Sequence, residues 1–559
     1  MAERPVPEAI AKLDPGLIAD EGVREALLAL LNLVEEQAAA IRALRTENQQ
    51  LRDEVTRLKG GQGRPKMPGG KTGSAGTDVS SEEERRAAPK VWQKRSKQGR
   101  VQIDRIERVE VEPGLLPADA VYKGYETVVV QNLVLRRETV AFELEIWYSP
   151  AEHKSYRARR PVGYDDGGYA ADLRALVLDL AYSGGMSETK IHALLEARGI
   201  EISAGTVSAL LTESRLAFEA ETREVRKAGL ASTAYQHLDD TSTRVNGEGH
   251  YCQILCNPLY TAYQTTPGKD RQTIIDVLRG GRPRAYRFDA EADRHLAFLG
   301  LSAAARAKLA VIPRDQTLDA AALTTLFEGP LSGLGPKQRD QVREALAVAA
   351  YLADPDWPVV RTLVCDDAPQ FRAITEELAL CWIHEGRHFK KLTPYLPQPR
   401  AALAKILDQF WTYYRELLAY REHPTPEERN RLDTRFDALF GTVTGYRDLD
   451  HRLALTRDKK PELLLVLEHP ELPLHNNPAE LGARQRVRKR DVSFGPRSPA
   501  GASAWDIFMT LAATVRKLGV DFAAFLRDRI TNAGQIPPLA DLITDRAAQF
   551  RLASSAAPA

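Results

Sequence analysis

Between Tyr235 and Thr265 this chain has little choice of fold. Three strand-like segments, Tyr235–Val245, His250–Cys256 and Tyr260–Thr265, are separated only by Asn246-Gly247-Glu248-Gly249 and by Asn257-Pro258. Connections that short join antiparallel neighbours, because a parallel crossover needs about a dozen residues or more. A three-stranded meander follows, closed by a helix at about Arg271–Leu278. Residues 282–357 are Ala/Leu-rich with helical periodicity and read as an insertion. The apolar runs Val359–Cys365 and Leu378–Ile383 then read as two further strands.

Three acids are set into this frame. Asp239 lies in His237–Thr243, Asp366 ends the run Val359–Cys365, and Glu480 follows Asn476-Asn477-Pro478-Ala479 at the start of a helix. Neighbouring side chains on a strand point to opposite faces, so only one of Asp239 and Asp240 can reach a given metal. At a strand end the choice between Asp366 and Asp367 is less constrained. Two aspartates at strand ends with a glutamate on a later helix is how a ribonuclease-H-like fold gathers carboxylates around divalent ions for phosphodiester chemistry. Oxygen donors of this kind suit octahedral Mg2+, two per site with Mn2+ as a substitute, better than a soft metal.

The helix after Asn476 adds charge to this pattern. Asn476, Glu480, Arg484 and Arg488 recur every four residues and share one face, while Arg486, Lys489, Arg490 and Arg497 lie nearby. A carboxylate beside clustered arginines fits a place where metal-bound phosphate and flanking DNA backbone meet. His384, Arg387 and His388 read as neighbours of the carboxylates that touch the scissile phosphate. A zinc site would require Cys365, Cys381 or histidines to converge, and no second cysteine pair follows at finger spacing. No GxxxxGK[ST] loop occurs, which argues against ATP use.

The chain before the meander reads as assembly and DNA-binding machinery. One heptad seam carries Leu27, Val34, Ile41, Asn48 and Val55, the other Leu30, Gln37, Leu44, Leu51 and Leu58. β-Branched residues at a, leucines at d and an asparagine at a suit a parallel two-stranded coiled coil. Alternation along Val140–Tyr148, with Val128–Val130 and Val109–Val111 as partners, predicts a small strand-rich module flanked by Lys90, Lys94, Arg95, Lys97, Arg100, Arg157, Arg159 and Arg160. Helices around Leu173–Leu180, from Ser187 to about Arg198, and from Ser203 to Leu211 fit a helix-turn-helix. The last would present Ser203, Ala204, Thr206 and Ser208 to a major groove.

Bulk properties set limits. The chain has 559 residues, net charge +1 and four cysteines. That length is enough for about three or four domains. Any nucleic-acid binding must therefore use local basic patches rather than a global field. Four cysteines without a framework fit a reducing compartment, and no signal peptide or membrane span is read, so the expected location is cytoplasmic.

Leu238-Asp239-Asp240-Thr241, the Cys381-Trp382-Ile383-His384 motif with Arg387 and Phe389, and Asn476-Asn477-Pro478-Ala479-Glu480 with its basic sequel resemble DDE transposases of the insertion-sequence-66 type. The resemblance covers most of the chain and is tightest from about Tyr235 to Leu518. It implies Asp239 rather than Asp240 as first acid, Asp366 as second and Glu480 as third, all as metal ligands. It implies cleavage at element ends followed by attack of the freed 3′-hydroxyl on target DNA. Implied partners are the double-stranded DNA of terminal repeats and target, gripped by Asn476, Asn477, Arg484, Arg486, Arg488, Lys489, Arg490, His384, Arg387, Ser203 and Thr206. A second copy would join through Leu30, Val34, Ile41, Leu44, Asn48, Leu51, Val55 and Leu58, with accessory element-encoded proteins as further partners. Many relatives of this type carry a cysteine-rich zinc-binding segment after the zipper; here the strand-rich module takes its place, so no zinc finger is carried over.

The expected architecture is multidomain α/β. It comprises a coiled-coil segment (1–60), a flexible basic linker (61–98), a β-rich module (99–162), a helix-turn-helix region (163–232), a ribonuclease-H-like core in two parts (233–281 and 358–520) around the insertion (282–357), and a helical tail (521–559). Two other classes stay open: a DNA-binding regulator without chemistry, and a structure-specific nuclease without strand transfer.

Overall fold

The computed structural model of the protein describes residues 10, 12–59, 102–117, 119–133, 135–164 and 168–555. The linker expected at 61–98 and the basic residues Lys90, Lys94, Arg95, Lys97 and Arg100 lie outside them. The zipper segment is one helix, α1 (Glu21–Leu58), and its faces differ in use. Leu28, Leu31, Asn32 and Glu35, spaced i, i+3, i+4 and i+7, dock on the protein's own body. Asn32 donates to the Gly445 carbonyl at 2.9 Å and accepts from the Arg447 N–H at 2.9 Å. Glu35, only 4% exposed, accepts the backbone N–H groups of Tyr395 (2.8 Å) and Leu396 (2.6 Å). Leu30, Ile41, Leu44, Leu51, Val55 and Leu58 of the heptad seams stay exposed.

The strand-rich module is reduced to one hairpin, β1 (Ile146–Ser149) and β2 (Lys154–Arg157). Described residues from 102 to 145 form no strand, and Val109, Val111, Val128, Val130 and Val140 are exposed. Alternation alone did not make a sheet here, because no third strand or apolar layer covers the alternating face. Helices α2 (Ala171–Tyr182), α3 (Glu188–Glu196) and α4 (Ala204–Glu213) fall where helical periodicity placed them. Ser203 caps α4 through the Thr206 N–H at 3.1 Å. Val177, Leu178, Ile191, Leu195, Val207 and Leu211 join the three helices to the main core.

After α5 (Glu219–Ala231) comes the meander, β3 (Tyr235–Val245), β4 (Glu248–Cys256) and β5 (Thr261–Thr266). Asn246 and Gly247 both have positive φ, so they alone make the hairpin turn and β4 begins at Glu248, two residues before His250. Strands β8 (Thr362–Cys365) and β9 (Glu377–Leu380) add in parallel, giving the order β5-β4-β3-β8-β9. The strand expected at Leu378–Ile383 stops early. Cys381 caps α11 (Trp382–Lys390), whose Trp382 is buried and donates to the Leu463 carbonyl at 2.9 Å.

Two helical units interrupt the sheet. After α6 (Arg271–Leu278), the strand pair β6 (Tyr286–Arg287) and β7 (Thr317–Leu318) and helices α7 (Ala290–Phe298), α8 (Ala303–Lys308), α9 (Ala320–Glu328) and α10 (Pro336–Leu352) fold around Phe288, Leu296, Phe327 and Leu346. A second unit built from α12 (Pro397–Glu422), α13 (Pro426–Phe440), α14 (Arg447–Arg457) and the short α15 (Lys460–Leu463) has its own core of Phe410, Tyr413, Phe436 and Leu449. It is this unit that α1 docks on. Helices α16 (Asn477–Ser493) and α17 (Pro499–Lys517) then return to the sheet, where Ala479, Ala483 and Met509 cover Cys252, Ile254 and Tyr263. Among the described residues no helix is long and apolar enough to cross a membrane.

Hydrogen bonds to a charged carboxylate are worth about 1.5–3 kcal/mol each, and Glu35 accepts two of them from backbone donors of the second helical unit. Glu35→Ala is therefore expected to release α1. In hydrogen exchange, amides of residues 21–45 should lose protection while those of 362–390 keep theirs; unchanged protection of α1 would contradict the docking.

Candidate active site

The acids converge because of register. β3 and β8 are parallel, with His237 beside Val364, and two residues further on each strand stand Asp239 and Asp366. Strand parity then separates Asp239 from Asp240. Asp239 pairs with Ile254 across β3–β4, and Ile254 packs under Ala479 and Ala483 of α16. Asp239 therefore shares the sheet face that α16 covers. Asp240 turns the other way, to Lys269 (3.4 Å) and Gln370 (3.4 Å).

Helix α16 is pinned close to that face. Asn476 is fully buried, donates to the Leu238 carbonyl at 2.8 Å, contacts His237 Nδ1 at 3.0 Å, and gives its backbone N–H to Cys381 Sγ at 3.3 Å. Burial drops His237 to about 3, so the ring is neutral and its Nδ1–H donates to the Asn476 Oδ1. A Cβ at Gly482 would stand 2.7 Å from Ile254 Cγ2, so only glycine allows this approach. Glu480, in the first turn, then lies 3.2 Å from Arg387 Nη2, and its Oε1 is 3.7 Å from His384 Nδ1.

Electrostatics single out the same group. Asp239 is pushed up to about 7, first by burial, then by the Asp366 carboxylate, with Glu480 and Asp240 adding to it against one backbone N–H bond from Asp240. Asp367 differs from Asp366. Burial raises it, but Lys459 and Arg372 (2.7 Å) more than offset that and hold it below the usual carboxylate range. Asp367 is thus tied into a structural ion-pair network that continues from Lys459 to buried Glu385 at 3.1 Å.

Several expected DNA contacts are corrected by burial. Asn476 is an internal bracket rather than a surface group. Asn477 is 7% exposed, with neither amide atom hydrogen-bonded. Arg486, 1% exposed, bonds Thr265 at 2.7 Å and pairs with Asp506 at 3.4 Å; Lys489 is 8% exposed and donates to the Ala181 carbonyl at 2.7 Å. Their positions on the helix turn them inward, where they lie over the Trp505 ring. Burial brings Lys489 down to about 7. Arg484, Arg488 and Arg497 are exposed, and half-buried Arg490 bonds the Ser242 carbonyl. His384 and Arg387 are half-buried beside Glu480; Ser203 is exposed and Thr206 half-buried at the start of α4.

Among the described residues one set of three donors closes to within 4.8 Å, and it is Cys381, His384 and Glu480. Asp239, Asp366 and Glu480 do not close to that spacing. Their chemistry still fits a hard cation. They are oxygen donors, Asp239 is raised first by burial and then by the neighbouring Asp366 carboxylate, and the orphaned Asn477 amide sits one turn from Glu480. The contribution of Cys381 to this neighbourhood was legible only as a motif, because its partner Asn476 is distant in sequence.

A carboxyl raised in the folded state stabilises the fold below its unfolded value near 3.8, and that contribution is lost as pH rises through about 7. Metal-free Asp239→Asn should therefore lose the part of the fall in stability that the parent shows between those limits, and melt higher than the parent at pH 8. Equal pH profiles in thermal melts would contradict the crowding of carboxylates at Asp239.

Residues 339–504 match the model of the transposase IS66 family. The matched stretch contains Asp366, the Cys381–His384 motif and Glu480. The chain is also 33% identical over 329 residues to the uncharacterized protein y4jO of Sinorhizobium fredii (strain NBRC 101917 / NGR234), across 57% of this chain and 99% of that protein. With Asp366, the Cys381–His384 motif and Glu480 inside the matched region, and Asp239 before it, this chain belongs to the transposase IS66 family.

Proposed function

We propose that the protein is a DDE transposase that cuts the ends of its element and joins the freed 3′-hydroxyl to target DNA. The observation that carries this reading is the parallel register of β3 and β8, in which His237 pairs with Val364, two residues before Asp239 and two before Asp366 just past the end of β8, with α16 over the Asp239 face. Three antiparallel strands extended by two parallel ones are also the arrangement a ribonuclease-H-like core requires.

In this reading Asp239, Asp366 and Glu480 hold two Mg2+ ions, or Mn2+ in their place. When bound, such ions activate an attacking oxygen and stabilise the leaving one. Arg484 and Arg488 stand on the Glu480 face and meet backbone phosphates of double-stranded DNA, and His384 and Arg387 approach from α11. Helices α3 and α4 serve as a helix-turn-helix for the terminal repeats, with Ser203 and Thr206 at the groove-facing start of α4. The exposed seam of α1 pairs two copies of the chain, so that two element ends are held together in the cytoplasm. Accessory element-encoded proteins complete the assembly.

The test is Mg2+-dependent cleavage of element-end DNA by Asp366→Asn and Asp367→Asn. The first should lose at least about 100-fold, while the second, which breaks ion pairs with Arg372 and Lys459, should keep metal-dependent cleavage with a lowered melting temperature. Undiminished cleavage by Asp366→Asn would overturn the assignment. Cleavage without joined products on a target plasmid would reduce the activity to that of a nuclease.

A further inference from the structure

Beside the carboxylate site lies a donor set of different chemistry. Cys381 and His384 occupy the cap and first turn of α11, and one ligand atom from each falls within 4.8 Å of a Glu480 oxygen. His384 Nδ1 and Glu480 Oε1 face each other at 3.7 Å, and both are buried atoms without a hydrogen bond. Two ligand atoms held about 2.0–2.1 Å from a tetrahedral zinc stand about 3.4 Å apart. Closing the observed gap takes a few tenths of an ångström. Sulfur, imidazole and carboxylate together select a borderline-soft cation, whereas Mg2+ takes oxygen almost alone.

We propose that Cys381, His384 and Glu480 form a binding site for a zinc-class divalent cation, distinct in donor chemistry from the three-carboxylate site and sharing Glu480 with it. The sulfur is prepared for the role, since it accepts the Asn476 N–H at 3.3 Å at the N-terminus of α11. Three protein donors leave the fourth tetrahedral position open. Arg387 holds the place of the cation. It contacts His384 Nε2 at 3.0 Å and Glu480 Oε2 at 3.2 Å, the far atoms of both groups, and leaves Nδ1 and Oε1 turned toward each other. Because the guanidinium donates to Nε2, the ring proton sits on Nδ1. A cation on Nδ1 requires the ring proton to move to Nε2, and an N–H at Nε2 obliges Arg387 to let go. Binding also releases the thiol proton of Cys381. The binding itself stands on these contacts alone. Its consequence, that zinc withholds Glu480 from Mg2+ and so inhibits, rests on the reading of Glu480 given above.

The experiment is titration of the full-length protein with Co2+, a spectroscopic stand-in for Zn2+. One equivalent should produce an intense near-ultraviolet sulfur-to-cobalt band that Zn2+ abolishes by displacement. Cys381→Ser should lose the band, His384→Gln should weaken it, and Asp239→Asn should keep it. Arg387→Ala should bind more tightly, because it removes a positive charge 3.2 Å from Glu480 that competes with the cation. A parent protein without a sulfur band, or Zn2+ bound in equal stoichiometry by folded Cys381→Ser, would overturn the site; if that variant does not fold, an undiminished band in His384→Gln does so. In cleavage assays at fixed Mg2+, Zn2+ should inhibit the parent more strongly than His384→Gln. If no Mg2+-dependent cleavage is found in any variant, the carboxylate reading fails while the cobalt band still decides the site proposed here.

Discussion

The close seating of α16 on the sheet is the contact on which the site depends. Asn476 does most of it with one buried amide and one backbone N–H, which reach the Leu238 carbonyl, His237 and Cys381. These groups belong to β3 and to the cap of α11, so one residue fixes three elements relative to one another. Gly482 lets the helix backbone approach Ile254, and Arg486 and Lys489 complete the attachment from the opposite side. Buried polar groups of this kind are costly unless fully satisfied. Their satisfaction by residues far apart in sequence ties the position of Glu480 to the fold as a whole.

The second helical unit links this site to the N-terminal helix. Arg447, at the start of α14, takes Asn32 through its N–H and Glu36 through its guanidinium. Further along the same helix Arg452 and Thr456 reach Glu385 on α11, and Lys459 just beyond it bridges Glu385 to Asp367. A single helix therefore runs from the docking face of α1 to the residue beside Asp366. The face of α1 that docks and the face that carries the heptad seam are different, so docking leaves Leu30, Ile41, Leu44 and Leu51 exposed.

Much of the frame was legible from residue pattern. The meander, the strand before Asp366, the helical segment after Leu278 and the helices around Ser203 all follow from local periodicity and turn chemistry. The errors share one cause. Val109–Val111, Val128–Val130 and Val140–Glu145 alternate as strands do, but pairing partners and a covering layer are not local properties. Trp382 and Ile383 extend an apolar run, yet the core of the second helical unit claims them for a helix. The arginines and lysines after Glu480 read alike in the sequence, and only the seating of α16 divides them into an exposed row and an interior pair.

By itself the sequence determined the order of elements around Asp239, Asp366 and Glu480, because strand ends, turns and capped helices are set by neighbouring residues. It also determined that the first acid comes from one member of a pair, through the two-residue period of a strand. The resemblance implied Asp239 and Asp366, and what only the tertiary structure decided is their surroundings: α16 covers the face that Asp239 shares, and Arg372 and Lys459 pair with Asp367, through contacts as long as the 238-residue span from Leu238 to Asn476. The donor set of Cys381, His384 and Glu480 arises the same way, since two of its members sit one turn apart and the third arrives from nearly a hundred residues downstream.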